Sequence, residues 1–484
     1  MRFSLGQSAP RVEDLRLLRG GGRYTDDINL QGQAYAYMLR SPHAHARIRS
    51  VDTSAAIEMP GVITIYTGKE IASAGLGRMP CLAAKLLPLK RPDGSPMYEP
   101  KRLALSEDKV AFVGDYIAFV VAETGAQARD AADLIVIDYE ELAPIVEIQN
   151  ALEADITPIW DDCPDNICFQ MEIGDKDATD VAFTNAHHVS RVDIPFARVA
   201  INPMEPRAAI GEYDRFEGRY TLHSGNQFPH DLRAWMAQSV LKIPESKLRI
   251  ISPDMGGSFG LRSSCFPELT LVLWAAKQLD RPVKWINERS DGILEEHARD
   301  FHMAVELALD KNGKFLGLRV IKDASVGAYL NNFGPLPAFG NFGGVAGVYK
   351  TPAISATITG VFTNAAPTSP YRGAGRPEAT LAIEQVIDLA AREMGIDRIE
   401  LRRRNIIPPD AFPYQTALTY NYDSGEFERN MNRALEMADA ASFEARRAKS
   451  KANGKLRGLG IANAIDQAAG MFDEGGEIRF DQEG

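Results

Sequence analysis

Three segments of the sequence combine glycines, amides or arginines in patterns that can bind an anion or a polarised oxygen. The first is Met255-Gly256-Gly257-Ser258-Phe259-Gly260. Because glycine has no Cβ and tolerates positive φ, backbone N–H groups in such a loop can converge on an anion. The spacing matches neither the dinucleotide-binding fingerprint nor the phosphate-binding P-loop. A plain tight turn is the alternative interpretation.

The second segment, Tyr371-Arg372-Gly373-Ala374-Gly375-Arg376-Pro377-Glu378, places two arginines where a helix begins. A helix N-terminus attracts negative charge, so this loop predicts a concentrated electropositive spot. There, Arg372 can orient an oxyanion, and Arg376 can bind phosphate or pair with a carboxylate. A structural ion pair with Glu378, or with another nearby acid, is the alternative interpretation.

The third segment is Ser224-Gly225-Asn226-Gln227-Phe228-Pro229-His230. Its adjacent amides can donate hydrogen bonds to an oxo or carbonyl group, although such residues more often satisfy loop backbone groups. The histidines of the chain show no metal-ligand spacing, so we expect no metal ligated by protein side chains. The sequence has no nucleophile elbow either.

Strands and helices on either side of these segments must position them. A strand over 218–224 is predicted before the third segment, and another over 247–254 before the first. Pro267 opens a predicted helix after the first segment. Pro377 opens a second one, which ends just before Gly395.

Composition and charge limit the class of protein. The chain has 484 residues, of which 45% are hydrophobic and 25% charged, as in ordinary globular domains rather than disordered or coiled-coil chains. Its net charge of −11, without a long basic block, argues against nucleic-acid binding. Its four scattered cysteines predict neither a disulfide framework nor an iron–sulfur cluster.

The sequence also bears on localisation. No run reaches the roughly 18 apolar residues that span a bilayer. The N-terminus lacks the apolar region of a secretory signal. We therefore expect a cytoplasmic protein without a membrane span, periplasmic only if it is exported with a partner.

Alternating strand and helix patterns predict an α+β (mixed α/β) fold in two domains. Residues 1–150 form the first domain, 151–175 a linker rich in Pro and Asp, and 176–484 the second domain. Near the C-terminus, Ile478 and Phe480 alternate in a predicted strand that leads to a turn at 481–484, an incomplete hairpin. We expect either a truncation or another chain that supplies the returning strand.

In this order, the segments resemble the molybdopterin-binding large subunit of the xanthine dehydrogenase/aldehyde oxidase family, of the CO-dehydrogenase-large-subunit-like aldehyde oxidase type. The resemblance covers nearly the whole chain. It rests on these motifs: Arg19-Gly20-Gly21-Gly22-Arg23-Tyr24 with Asp26-Asp27-Ile28, Arg40-Ser41-Pro42-His43-Ala44-His45-Ala46, Asn202-Pro203-Met204-Glu205-Pro206-Arg207, the loop through Gly260, Tyr371 to Ala379, and Leu401-Arg402-Arg403-Arg404-Asn405.

The resemblance implies a hammerhead domain over 1–150 and a first molybdopterin-binding domain over 176–484. It implies a molybdopterin cofactor with molybdenum, usually the cytosine dinucleotide in bacteria, held by hydrogen bonds rather than by protein–metal bonds. The family hydroxylates a small-molecule substrate with water as the oxygen source. The electrons leave through iron–sulfur clusters and FAD, which the resemblance places here on partner subunits.

The resemblance also implies roles for individual residues. Gln227 matches a glutamine that hydrogen-bonds a molybdenum oxygen ligand, and Arg372 matches an arginine that faces the substrate, so both are implied to be catalytic. The implied cofactor-binding set is Gln227, Gly256, Gly257, Phe259, Gly260, Arg372, Gly373 and Ala374.

Departures from the family pattern limit the range of substrates that the resemblance implies. Ser258 and Arg262 replace a glycine and a lysine that are common in the glycine-rich loop. Ser263 stands where purine-oxidising members have glutamate, which argues against xanthine. Gly373 stands where CO dehydrogenases have a copper-binding cysteine, and without that thiolate we do not expect CO oxidation.

Family large subunits continue beyond this length with a second cofactor-binding domain, which carries the glutamate that acts as general base. We therefore interpret the chain as the N-terminal part, split or truncated, of a molybdenum hydroxylase that oxidises an aldehyde or an N-heteroaromatic. It would require a partner chain that carries the second molybdopterin-binding domain. The competing hypotheses are a catalytically inactive fragment or gene remnant, and a binding module that uses the hammerhead domain alone.

Overall fold

The computed structural model describes residues 8–83, 87–153, 156–466 and 476–480. Its strands are β1 (Ala34–Arg40), β2 (Ala46–Asp52), β3 (Val62–Thr67), β4 (Lys109–Val110), β5 (Tyr116–Ala122), β6 (Val136–Glu141), β7 (Ile167–Gly174), β8 (His188–Ala200), β9 (Ala208–Asp214), β10 (Arg219–His223), β11 (Leu248–Ile251), β12 (Val283–Ile286), β13 (His297–Leu309), β14 (Phe315–Gly327), β15 (Ala353–Phe362), β16 (Tyr414–Gln415) and β17 (Asn421–Tyr422). Its α-helices are α1 (Asp14–Leu18), α2 (Ser54–Ile57), α3 (Gly68–Ser73), α4 (Gly125–Ala132), α5 (Ile148–Ala151), α6 (Lys176–Thr184), α7 (Pro229–Trp235), α8 (Pro267–Leu279), α9 (Leu336–Phe339), α10 (Arg376–Glu393), α11 (Arg398–Asn405), α12 (Phe427–Met437) and α13 (Phe443–Ala452).

Strands from both predicted domains form one seven-stranded sheet. Its order is β11-β10-β9-β12-β1-β5-β3, and β1 pairs in parallel with β12. Strand β5 is buried along its whole length, which explains its uninterrupted apolar sequence. The domain boundaries stay predictions, but hydrogen bonds of this sheet connect residues on both sides of position 150.

A second sheet has five strands in the order β7-β15-β14-β13-β8, in which only β14 and β15 run parallel. Helix α10 packs against β8 and β13. It buries Ile383, Ile387 and Ala390 in the larger of the hydrophobic cores. Helix α10 is therefore held firmly against this sheet.

Helix α8 connects the glycine-rich loop to the first sheet. It lies so close to β9 that a Cβ on Gly211 would be 2.4 Å from the Val272 carbonyl carbon. Leu271, Val272 and Leu273 are fully buried in the second hydrophobic core. The helix predicted at Pro267 is thus confirmed, and it anchors one side of the loop to the sheet.

The predicted α+β fold is confirmed, with two corrections in detail. Within the predicted linker 151–175, residues Ile167–Gly174 form β7 and pair with β15. The strand predicted around Ile478 and Phe480 is wrong: residues 476–480 are not in a strand, and these two side chains are 81% and 80% exposed. No strand partner for them lies among the described residues, and the turn predicted at 481–484 lies outside those residues.

None of the helices in the described part of the chain is long and apolar enough to cross a membrane.

Candidate active site

The glycine-rich loop follows β11 and folds tightly against a second loop. Gly257 and Gly260 have φ values of 105° and 110°, and Phe259 also has a positive φ of 58°. A Cβ on Gly260 would lie 1.9 Å from the Pro370 carbonyl oxygen. Only glycine therefore allows the two loops to approach this closely.

The arginine loop is built in a similar way. Gly373 and Gly375 have φ values of 94° and 98°, and the intervening Ala374 has a φ of 33°. A Cβ on Gly375 would lie 1.7 Å from the Gly340 carbonyl oxygen. The side-chain amide of Asn341 donates to the Ala374 carbonyl over 3.0 Å. These contacts define the path of the loop up to the first residue of α10.

All three predicted segments meet. The backbone N–H of Arg372 donates to the Phe259 carbonyl over 2.9 Å, which joins the arginine and glycine-rich loops. The Ser258 hydroxyl donates to Gln227 Oε1 over 2.5 Å, which joins the glycine-rich loop to the loop after β10. The structure therefore brings Gln227, Phe259 and Arg372 together, while their roles stay predictions.

The convergent residues form a wall that faces outward. Gln227 and Arg372 are exposed, and Phe259 is 45% exposed although it is a large apolar residue. Met204, which belongs to a neighbouring loop, is 89% exposed. Within the described part of the chain, no carboxylate lies within 4.0 Å of the Arg372 guanidinium. The wall thus presents an uncompensated positive charge beside apolar surface.

A buried ion pair supports the glycine-rich loop from below. Arg262 and Glu205, whose side chains are 1% and 11% exposed, pair over 2.9 Å. The same carboxylate accepts the Gly256 N–H over 2.7 Å, and Arg262 also donates to the Glu205 carbonyl over 2.7 Å. Burial lowers the pKa of Arg262, and Glu205 opposes that shift. The N–H of Gly256 is therefore already occupied within the protein.

A second buried pair supports the arginine loop. Arg299 pairs with Glu378 in the first turn of α10 and donates to the Arg372 carbonyl over 3.2 Å. Arg376 instead pairs with Asp466 over 2.7 Å. Of the alternative interpretation, the pairing with Glu378 is wrong, since Arg299 occupies that carboxylate. The pairing with another nearby acid is confirmed for Arg376, which binds Asp466.

Lys322 lies behind this pair and is completely buried. Its Nζ has no hydrogen-bond partner among the described residues, and it lies 3.8 Å from the ring centre of Phe301 and 4.8 Å from that of Phe342. Burial lowers the pKa of Lys322 to about 7, although Glu378 favours the charged form. No sequence pattern indicates this lysine.

The wall fits an anionic, oxygen-rich group. Arg372 supplies a cation, Gln227 an amide, and the loops around Gly257 and Gly373 supply backbone without Cβ atoms. The side-chain oxygen of Asn226 accepts the Phe228 N–H over 2.7 Å and closes a local turn, so that oxygen is already occupied within the protein. In the described residues, no group of three or more His, Cys, Asp or Glu side chains is arranged to hold a metal ion.

The three loops follow from local sequence patterns, whereas the charges that support them do not. Glu205 belongs to one of the quoted motifs, yet its partner Arg262 follows 57 residues later. Arg299 and Lys322 lie inside strands, where single charges carry no pattern. Arg299 also has a positive φ of 68°, which no local sequence signal indicates.

Two family models match the chain over adjacent ranges. Residues 19–143 match the model described as the aldehyde oxidase and xanthine dehydrogenase a/b hammerhead domain. Residues 159–406 match the model described as the molybdopterin cofactor-binding domain.

Individual proteins agree with these matches. The chain is 34% identical to the carbon monoxide dehydrogenase large chain of Afipia carboxidovorans, over 93% of this chain and 55% of that protein. It is 29% identical to the nicotinate dehydrogenase large molybdopterin subunit of Eubacterium barkeri, over 83% of this chain and 89% of that protein. The crystal structure of quinoline 2-oxidoreductase from Pseudomonas putida 86 matches with a TM-score of 0.84 at 33% identity, covering 93% of this chain and 56% of that one. The chain thus spans little more than half the length of the first and third of these proteins.

Proposed function

Because this chain belongs to the family of molybdopterin-binding large subunits of aldehyde oxidases and xanthine dehydrogenases, we propose that it forms one wall of the active site of a molybdenum hydroxylase. The observation that carries this proposal is the convergence of Gln227, Phe259 and Arg372 on one exposed face. The opposite wall belongs to a second molybdopterin-binding domain, either further along the same polypeptide or on a separate chain.

The exposed, partly apolar character of this wall supports the assignment of the opposite wall to a second domain. A face that carries Met204 and Phe259 beside an unpaired arginine is unfavourable in water and favours a covering partner. The nicotinate dehydrogenase relative is named a large molybdopterin subunit, and this chain matches 89% of its length, so a polypeptide of this extent occurs as a subunit among the relatives.

The cofactor we propose is a molybdopterin with molybdenum, in its cytosine dinucleotide form. When bound, it supplies the two-electron oxidation. The loops around Gly257, Gly260 and Gly373 would hold it, with Gln227 donating a hydrogen bond to one of its oxygen atoms. Because Gly256 already donates to Glu205, its contribution is the close approach of backbone rather than an N–H group.

Arg372 would act on the substrate. A guanidinium at this position stabilises negative charge that develops on the attacked centre and orients a carbonyl oxygen or ring nitrogen. In the overall reaction, one C–H bond is replaced by a C–O bond to oxygen from water, and two electrons and two protons leave. We propose that the general base belongs to the second molybdopterin-binding domain and that this part of the site is inactive alone.

The substrate class we propose is an aldehyde or an N-heteroaromatic compound. The names of two relatives, quinoline 2-oxidoreductase and nicotinate dehydrogenase, support the second of these. Ser263 and Gly373 support the exclusion of xanthine and CO, because they lack the carboxylate and thiolate that those substrates require in the family.

The electrons would pass to partner subunits that carry iron–sulfur clusters and FAD. The designation of the relatives as a large chain or a large subunit supports an assembly of several chains.

Native purification of the chain with whatever binds it tests the proposal. We expect close to one molybdenum atom per chain by elemental analysis, together with iron and flavin, and oxidation of an aldehyde or an N-heteroaromatic with incorporation of oxygen from labelled water. A folded assembly without molybdenum would overturn the proposal and favour an inactive fragment.

A further inference from the structure

The buried hydroxyl of Ser258 connects two of the loops that build the wall. Ser258 is 7% exposed, and its Oγ accepts the backbone N–H of Arg262 over 3.1 Å. The same Oγ lies 2.5 Å from Oε1 of Gln227. Since a backbone N–H can only donate, the hydroxyl proton of Ser258 is free to point toward Gln227.

This arrangement selects one orientation of the Gln227 amide. With Oε1 accepting from Ser258, the two N–H bonds of Nε2 are left for a group on the open side of the wall. In the reverse orientation Nε2 would donate to Oγ, and the hydroxyl proton would have no acceptor among the described residues. Because a buried donor without an acceptor is unfavourable, the hydrogen-bond chain favours the first orientation.

The backbone of Gln227 is fixed by the same loop. Its N–H donates to the Arg262 carbonyl over 2.9 Å. Arg262 is in turn held by the buried pair with Glu205. Both the position of Gln227 and the direction of its amide are therefore set by residues that do not reach the open face.

We propose that Ser258 is a positioning residue that presents Nε2 of Gln227, rather than Oε1, to an oxygen atom of the bound cofactor. The inference rests on the proposed function, because it assigns the acceptor to that cofactor. Its physical basis is pre-organisation: a donor that is already aimed at its acceptor does not have to reorient during the reaction.

The test compares Ser258→Ala with Ser190→Ala in the molybdenum-loaded assembly. Ser190 is a matched control, since it is also buried and its hydroxyl donates to Glu393, the last residue of α10, over 2.5 Å, outside the three loops of the wall. We expect Ser258→Ala to lower kcat by roughly 10-fold, the effect of one lost hydrogen bond, with KM and molybdenum content unchanged. Ser190→Ala should leave kcat unchanged.

Two further readouts distinguish positioning from a general structural role. The electron paramagnetic resonance signal of Mo(V) should shift in Ser258→Ala and not in Ser190→Ala, and a crystal structure of Ser258→Ala should show the Gln227 side chain in more than one conformer. In combination with Gln227→Ala, Ser258→Ala should lower kcat no further than Gln227→Ala alone.

An unshifted signal with a single, unchanged Gln227 conformer would overturn the inference and leave the proposed function intact. Multiplicative effects in the double variant would also overturn it. A wild-type assembly without molybdenum would instead overturn the proposed function, and with it the assignment of the acceptor.

Discussion

The guanidinium carbon of Arg372 lies 5.9 Å from the ring centre of Phe259, while the backbone N–H of Arg372 donates to the Phe259 carbonyl over 2.9 Å. Side chain and backbone are thus held by the same aromatic residue. A cation over an aromatic face is attracted by the ring quadrupole without being neutralised. Arg372 therefore keeps its full positive charge for a group on the open side of the wall.

We expect Arg372→Ala to lower kcat by about 10²-fold or more in the assembly, because it removes a preorganised positive charge at the reacting centre. Arg372→Lys keeps the charge but loses the planar fork, so its activity should lie between those of the wild type and the alanine variant. Steady-state kinetics at matched molybdenum content measures both. Arg191→Ala, which removes an exposed arginine in β8, is the control. Unchanged turnover of Arg372→Ala with full molybdenum would contradict the assigned role.

Two glycines lie at opposite ends of α10, and replacing each by alanine distinguishes the effect of a steric clash from the cost of a left-handed backbone. Gly375 and Gly395 have positive φ values of 98° and 67°, but a Cβ on Gly375 would lie 1.7 Å from a carbonyl oxygen, whereas a Cβ on Gly395 would meet open space. Gly395→Ala should cost about 1–2 kcal/mol from the left-handed backbone alone. Gly375→Ala should also displace the arginine loop and reduce molybdenum content. Thermal unfolding and elemental analysis measure the two effects, and equal molybdenum content in both variants would refute the expected difference.

The Arg262–Glu205 pair predicts a large loss of stability when one partner is removed. Arg262→Ala leaves the buried Glu205 carboxylate without its cation, which typically costs about 3–5 kcal/mol. Arg433→Ala is the control, because its pair with Glu436 is exposed and such pairs contribute roughly 0–1 kcal/mol. Denaturant unfolding measures both free energies. A similar midpoint for the two variants would show that the buried pair does not support the loop.

The loops of the site could be predicted from sequence because each one is a local pattern. Three closely spaced glycines and an arginine pair before Pro377 indicate tight turns whatever surrounds them. The strand before each loop and the helix after it also follow local periodicity. The observed bounds of α10, Arg376–Glu393, differ from the predicted ones by a single residue at each end.

The rest could not be predicted because it depends on residues that are distant in sequence. The pairing of β1 with β12 joins residues about 250 positions apart. No local pattern indicates such a pairing, so the prediction of two separate domains does not include the sheet that they share. The sequence predicts a linker over the residues of β7 because Pro and Asp dominate the segment just before them. The prediction of a strand around Ile478 followed its alternating pattern, but a strand needs a partner, and the described residues offer it none.

The burial of Lys322 predicts how the stability of the folded protein depends on pH. Its folded-state pKa of about 7 is lower than the ordinary value of 10.5, since burial disfavours the ammonium ion. Between these two pH values the unfolded chain binds a proton that the folded chain does not, so this group weakens the fold progressively as the pH falls from 10.5 to 7. Lys322→Met removes the cost of burying an amine while keeping an unbranched side chain between the Phe301 and Phe342 rings.

We therefore expect Lys322→Met to be more stable than the wild type at pH 7, by about 1–4 kcal/mol, as when other buried charges are replaced by apolar residues. The gain should shrink as the pH approaches 10.5, where the unfolded lysine is also losing its proton. Denaturant unfolding of both proteins at several pH values between 7 and 10 measures it. Lys311→Met, at the exposed turn between β13 and β14, should change stability by less than about 0.5 kcal/mol at any of them. A gain that is independent of pH would mean that packing rather than the proton determines it, and a loss of stability at pH 7 would mean that the Glu378 charge needs Lys322 as well as Arg299.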